Sequence, residues 1–312
     1  MWKGKWKGEC KVGLTNIQRG LIRAIVSDDK TPDSVKSMAL LVLREDTTAK
    51  NEAFCRHAIE LLEKKKGIAD LASKNKNIIV EDVSDFIEAR YYLSARENTL
   101  FSHIDKIRHV SQKMRDMNIR YLNTVLLHGE SGTGKTTFGR YLAYKFGLPF
   151  VYINFSTLVG SLLGETPKNI ASVFADIRDI PCVLMLDEID CVATRRDQSG
   201  IGADQEMNRV VITILQELDR ADSGMIIVAA TNRFDMLDDA IIRRFSVHHE
   251  VQRLSLKESR IMIRNYIHDL PMDIDDTEAD RVMEKFNGKD VAQSYLINAL
   301  IERVAEILFK KA

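Results

Sequence analysis

The spacing of apolar positions changes character along the 312-residue chain. Ile17 to Val26 is apolar at helical spacing, and Thr31-Pro32-Asp33 is a cap-plus-proline start for a helix to about Glu45. Asn51 to Lys66 spaces Ala53, Phe54, Ala58, Ile59, Leu61 and Leu62 on one broad face, predicting a third helix that stops at Gly67. A small α-helical domain over residues 1–75 follows, closed by a polar, lysine-rich linker near 68–80. Beyond it, short β-rich runs (Val125–Leu127, Phe150–Ile153, Cys182–Leu186 and Ile226–Ala229) alternate with segments of helical period. Strands that alternate with helices imply an α/β domain over 80–250 with a parallel sheet covered on both faces. After Val251 the period is helical again, in Lys257–His268, Thr277–Phe286 and Asp290–Phe309, predicting a C-terminal helical lid over 251–312.

Composition narrows the class. Hydrophobic residues at 45% and charged residues at 29% are the usage of a soluble globular protein. Lysine plus arginine equals aspartate plus glutamate at 45 each, so no whole-chain field draws nucleic acid or an anionic membrane. The longest apolar runs, such as Met225–Ala230, fall far short of the ~20 residues that span a bilayer, and the basic start has no apolar segment behind it. The expectation is a cytoplasmic protein without membrane insertion. Cys10, Cys55, Cys182 and Cys191 form no C-x-x-C pair, and His248-His249 would point to opposite faces of a strand. Reduced thiols and no zinc or redox site are therefore expected.

The chemistry begins at Gly129-Glu130-Ser131-Gly132-Thr133-Gly134-Lys135-Thr136, which fits G-x-x-x-x-G-K-[ST] between an apolar strand and a helix. Glycines let the backbone curl so that its N–H groups face phosphates, the lysine neutralises β/γ oxygens, and the threonine hydroxyl serves magnesium. Gly129, Ser131, Gly132, Thr133, Gly134, Lys135, Thr136 and Thr137 are thus the candidate nucleotide-binding residues, with ATP and Mg2+ as the implied ligands. Further on, the apolar strand Val183–Leu186 ends in Asp187-Glu188, placing Asp187 to hold magnesium and Glu188 to polarise an attacking water.

Together these motifs resemble the AAA+ ATPases, and among them the AAA clade of protein-remodelling enzymes, over about residues 80 to 312. The resemblance implies further roles. Val228–Arg233 looks like the sensor 1 strand, putting Asn232 beside the γ-phosphate. Ala240–Phe245 is similar to the arginine-finger element, whose Arg243 and Arg244 would reach the nucleotide of a neighbouring subunit, which implies a ring, most often hexameric in this family. Gly160–Asn169 looks like the central-pore loop, its candidate residues Leu162, Leu163 and Gly164, with Leu162 in the place where the family usually has an aromatic residue gripping a translocated chain and Leu163 beside it. Gly288-Lys289-Asp290 stands for the lid's Gly-Ala-Asp, so Gly288 would approach the adenine, and Val80–Ser84 would form the rest of that pocket. Asn154 is a candidate restraint on Glu188, and Arg195-Arg196, beside the mobile Gly200 and Gly202, resembles a second inward-facing loop. Glu130-Ser131 replaces the usual two prolines, a change that leaves backbone phosphate binding intact.

Lys3, Lys5, Lys7, Lys11, Arg19 and Arg23, interleaved with Trp2 and Trp6, suit phosphate and base contact but equally an amphipathic edge strand. The leading expectation is a ring-forming, ATP-dependent protein-remodelling enzyme with an N-terminal recruitment domain for a protein client or partner. A nucleic-acid-associated ATPase such as a helicase loader or transposition regulator comes second, and a nucleotide-gated scaffold third. Neither H-E-x-x-H nor G-x-S-x-G occurs, so any proteolysis would belong to another polypeptide.

Overall fold

The computed structural model describes residues 14–27, 33–46, 51, 55, 58–59, 78–119, 121–155, 166–178, 180–192, 203–221, 224–272 and 274–311. The chain divides into two compact units, Met1–Lys74 and Asn75–Ala312.

In the first unit, Thr15 caps helix α1 (Asn16–Ser27): its hydroxyl accepts from the Gln18 N–H, and the Gln18 side chain accepts from the Thr15 N–H at 2.8 Å. With α2 (Asp33–Glu45) it buries Ile22, Ala39, Leu40 and Leu43 against Cys55 and Ala58. The Asn51 amide closes the unit, donating to Leu14 O (3.1 Å) and Asp46 Oδ2 (2.7 Å). Ile17, Leu21, Met38 and Leu41 stay exposed. Most of the third helix expected over 51–66 lies outside the described residues.

The second unit is built on one sheet. Its strands are β1 (Ile79–Glu81), β2 (Asn123–His128), β3 (Phe150–Asn154), β4 (Val183–Asp187), β5 (Ile226–Thr231) and β6 (Val247–Glu250), in spatial order β1-β3-β4-β5-β2-β6. Neighbours run parallel except β1, which pairs antiparallel with β3. Helices α3 (Ala95–Asp116) and α4 (Lys135–Phe146) bury Leu100, Ile104, Phe138 and Leu142 on the face carrying Val125, Leu127, Met185 and Val228. The alternate positions Leu126, Leu184 and Leu186 are fully buried as well, so the second face is also covered, as a parallel sheet requires. Helices α5 (Thr166–Ile177) and α6 (Ala203–Arg220) follow β3 and β4.

Three elements go beyond the sequence expectation. Helix α3 is strongly polar and buries little more than Leu100 and Ile104, so its period is faint; Asn123 Nδ2, donating to Ile104 O at 3.0 Å, fastens it to β2. The edge strands β1 and β6 lack the continuous apolar run of the inner strands.

The lid comprises α8 (Leu256–Asp269), α9 (Thr277–Glu284) and α10 (Gln293–Lys311), which follow the short α7 (Asp239–Ile242) and β6. Ser255 and Glu258 form a capping box at the start of α8. Met262, Ile263, Ile267, Val282, Leu296 and Leu300 make a core separate from that of the sheet.

Within the lid, Glu278 is only 8% exposed and receives Arg303 Nε at 2.5 Å together with Arg281. The Arg303 hydrogen bond, followed by its charge and that of Arg281, holds the Glu278 carboxyl below its ordinary value of 4.5. A pKa depressed in the folded state stabilises above the ordinary value, and that stabilisation is lost as pH falls through the folded one. Glu278→Gln is therefore expected to cost about 1 kcal/mol near neutrality, with solvent screening taken into account. In thermal melts across pH, the gap from wild type should close on the acid side of the ordinary glutamate value; a gap independent of pH would count against the pairing.

Candidate nucleotide-binding site

The site begins where β2 ends. Gly129, Gly132 and Gly134 hold φ of 137°, 78° and 98°, the left-handed half of the map that residues with a Cβ seldom enter. Two of them are also required by space: a Cβ on Gly129 would collide with Val251 O, and one on Gly132 with Ser294 Oγ. The turn feeds α4 through Gly134, and no side chain caps that helix, so its first-turn N–H groups are available to an anion. Thr133 Oγ1 donates to Glu130 O at 2.9 Å and stiffens the bend. Lys135 Nζ folds over it onto Gly129 O (2.8 Å) and Glu130 O (2.7 Å). Burial pushes the Lys135 pKa down, while the Asp187 carboxylate, then Asp190 and Glu130, pull it back up.

The neighbouring strands deliver the acids. Asp187, the last residue of β4, accepts from Thr136 Oγ1 at 2.8 Å and from the Tyr152 hydroxyl at 3.3 Å. One carboxylate plus one hydroxyl suits magnesium, which keeps waters and takes phosphate oxygens, rather than a metal caged by protein alone. Among the described residues no group of three or more His, Cys, Asp or Glu could hold a metal ion. Glu188 follows in a left-handed conformation (φ 54°, ψ 41°), its N–H donating to Asp187 Oδ1 at 3.0 Å. Strain of this kind in a residue with a side chain concentrates at functional sites. β5 lies between β2 and β4, with Thr231 opposite His128 and Ala229 opposite Leu186, so the exposed Asn232 emerges between the glycine turn and the acids.

Arg243 and Arg244 are not part of this cluster. They precede β6, at the amino edge of the sheet, where Thr124 Oγ1 donates to Arg244 O at 3.0 Å. Thr124 lies five residues before Gly129 along the strand, about 16 Å of rise. Arg244 makes a two-pronged pair with Asp219 (3.0 and 3.1 Å), and Arg243 is exposed, its Nε donating to Asp239 O.

A cavity of about 420 Å³ opens beside Thr133, Gly134 and Thr137. Its far walls come from Asp85, Ile87, Tyr91 and Tyr92, between β1 and α3, and from Leu254, Met262, Gln293 and Ile297 of the lid. This β1–α3 segment is anchored to α4 by Glu81, at the end of β1, to Arg140 (2.5 and 2.9 Å) and by Glu88 to Lys145 (3.0 Å). The wall it forms lies a few residues beyond the expected Val80–Ser84. Gly288 does not line the cavity. It is an exposed turn residue, and the lid residues that meet the glycine turn are Ala292 and Ser294, four and six positions later. Leu162, Leu163, Gly164, Arg195, Arg196, Gly200 and Gly202 lie outside the described residues, as does the Asn154 side chain.

The lid is fastened to the glycine turn at several points that sequence reasoning missed. Val251 N–H donates to His128 O (2.8 Å) and Ser294 N–H to Gly132 O (3.0 Å). Arg253 binds the Glu130 carboxylate through Nε at 2.7 Å while its other arm reaches Asp290 O at 2.9 Å. The departure from proline at position 130 thus supplies a tether, and only the unexpected charge in the motif hinted at it.

A glycine-rich turn between a central parallel strand and a buried helix, facing two acids on the neighbouring strand end, defines a P-loop nucleoside-triphosphatase domain. Residues 125–253 match the family described as ATPase family associated with various cellular activities (AAA), so the chain carries a AAA ATPase domain. Proteasome-activating nucleotidase of Methanococcus maripaludis is 37% identical over 175 residues, 54% of this chain and 42% of that protein. ATP-dependent zinc metalloprotease FtsH 1 of Alkaliphilus metalliredigens is 35% identical over 154 residues, covering 48% of this chain and 26% of its own length. 26S proteasome regulatory subunit 6A of Saccharomyces cerevisiae is 32% identical over 186 residues, 57% and 43% of the two chains. The chain therefore spans less than half the length of these relatives. In solved structures the fold is shared with the AAA domain of FIGL-1, at a TM-score of 0.55 and 23% identity over 74% of each chain.

Gly132→Ala would place a methyl group against Ser294 and hold a residue at φ 78°. It is expected to destabilise by about 1–3 kcal/mol, read as a fall in Tm, while Gly20→Ala, in open space on α1, should not lower it.

Proposed function

We propose that this chain hydrolyses ATP within a ring of identical subunits and uses the cycle to remodel protein clients. The observation that carries the reading is the separation between the two ends of the sheet: glycine turn, acids and Asn232 at the carboxyl edge, Arg243 and Arg244 at the amino edge, about 16 Å apart. Arginines so far from their own turn serve a nucleotide only in an adjacent copy. A hexamer is the ring that the family resemblance implies.

In this reading the turn's N–H groups and Lys135 bind the phosphates, Lys135 exchanging its two carbonyl partners for phosphate oxygens. Thr136 and Asp187 hold magnesium, which when bound neutralises charge on the phosphate oxygens. Glu188 takes the proton of the attacking water, Asn232 orients that water, and Arg243 and Arg244 of the next subunit offset the developing negative charge. The family resemblance assigns the client to the pore-loop segment Leu162, Leu163 and Gly164, with the grip made by aliphatic contact from Leu162 and its neighbour Leu163. The exposed Ile17, Leu21, Met38 and Leu41 support a recruiting role for the helical unit. The names of the relatives, a proteasome-activating nucleotidase, a proteasome regulatory subunit and an ATP-dependent metalloprotease, support protein rather than nucleic acid as client. Among the described residues no helix is long and apolar enough to cross a membrane, and the cytoplasm is the proposed location.

Glu188→Gln should cut turnover by about 10²- to 10⁴-fold with ATP binding retained, and unchanged hydrolysis would remove Glu188 from the chemistry. Arg243→Ala and Arg244→Ala should each cut turnover steeply, by up to about 10³- to 10⁵-fold, and recover part of it when mixed with Lys135→Ala subunits, whose arginines are intact. The Glu188→Gln ring, isolated with ATP and magnesium, also tests the client: discrete proteins released on ATP withdrawal support remodelling, whereas nuclease-sensitive nucleic acid would replace it with the second reading.

A further inference from the structure

Glu130 is the only acid among residues 129–136, and it stands on a turn whose backbone suits phosphate. Its carbonyl accepts from Lys135 Nζ at 2.7 Å and from Thr133 Oγ1 at 2.9 Å, which ties the residue to the ammonium that would meet the phosphates. The Glu130 charge is felt there, where it helps to raise the Lys135 pKa against burial. A carboxylate so placed attracts the ammonium and repels a polyanion.

Arg253 answers that charge. Its Nε (2.7 Å) and its Nη2 both donate to Glu130 Oε2, and its Nη1 donates to Asp290 O at 2.9 Å. The segment that carries it is fixed on either side: Val251 N–H bonds His128 O at 2.8 Å, and the Ser255–Glu258 capping box opens α8 two residues later. With side chains 45% and 61% exposed, the pair contributes little to fold stability by itself. Its consequence for a charged ligand on the same turn is larger, because a triphosphate meets the summed charge of every group around it.

We infer that Arg253 is a positioning residue for the nucleotide that acts through Glu130: by holding that carboxylate it offsets the one negative charge on the glycine turn and so sets the affinity of the site for a triphosphate. The inference rests on the nucleotide reading above and deepens it.

The test uses the full chain with Glu188→Gln to prevent turnover, titrated by calorimetry with ATP and magnesium, as this parent and with Arg253→Gln, Glu130→Gln or both changes added. Arg253→Gln leaves the carboxylate uncompensated and should raise the Kd for ATP about 3- to 10-fold. That rise should shrink between about 0.05 and about 0.5 M salt, as screening shortens the reach of the charge. Glu130→Gln should leave the Kd at or below the parent value, and both changes together should return it to within about 2-fold of the parent. A purely mechanical clasp between turn and lid gives a different pattern, since either change would open it and each would weaken binding. A raised Kd in Glu130→Gln, a doubly changed chain more than about 2-fold weaker than the parent, a rise indifferent to salt, or no rise in Arg253→Gln overturns the inference. Failure of the parent to bind ATP overturns the nucleotide reading instead.

Discussion

Every functional placement in the second unit depends on one backbone constraint, the turn from Gly129 to Gly134. Three left-handed glycines in six residues curl the backbone too tightly for helix or sheet pairing, and that leaves the carbonyls of Gly129, Glu130 and Gly132 to be satisfied elsewhere. Lys135 takes the first two and the lid takes the third through Ser294 N–H. The turn is thus held on one side by an ammonium that phosphate can draw away and on the other by a helix of a different subdomain. Turn and lid are therefore joined by the Ser294 hydrogen bond and by the Arg253 tether between Glu130 and Asp290 O, with Val251 N–H on His128 O beside them.

Strand order explains why the remaining groups gather where they do. β5 lies between β2 and β4, and all three run parallel, so their carboxyl ends carry Gly129, Asn232 and Asp187 side by side. The same parallel arrangement sends the segment before β6 to the opposite edge, with Arg243 and Arg244. On the proposed reading the sheet splits the chemistry into two halves that only adjacent copies reunite, and the Arg244–Asp219 pair orients one half in advance.

The inner strands and α4 were legible because each carries its own local signal. Val183 to Leu186 is a continuous apolar run ending in two acids, and Gly-x-x-x-x-Gly-Lys-Thr is a local pattern whose meaning needs only its flanking strand and helix. Less legible were α3, polar over most of its length and held by Leu100, Ile104 and an Asn123 side chain from another element, and the two edge strands. The lid's contacts were hidden for a related reason: the spacing between α9 and α10 sets Ala292 and Ser294 against Gly132 and Gln293 at the cavity, four to six positions after Gly288.

The amino-acid sequence by itself determined the class of fold, the glycine turn and the acid pair, because these depend on periodicity and on residues within one turn or one strand end. Tertiary structure alone decided which partners meet across long separations: Glu130 with Arg253, Tyr152 with Asp187, and Ser294 with Gly132. Such pairings depend on how the lid docks and how strands are ordered. Those are set by the summed packing of many buried side chains, and no short stretch of sequence carries that sum.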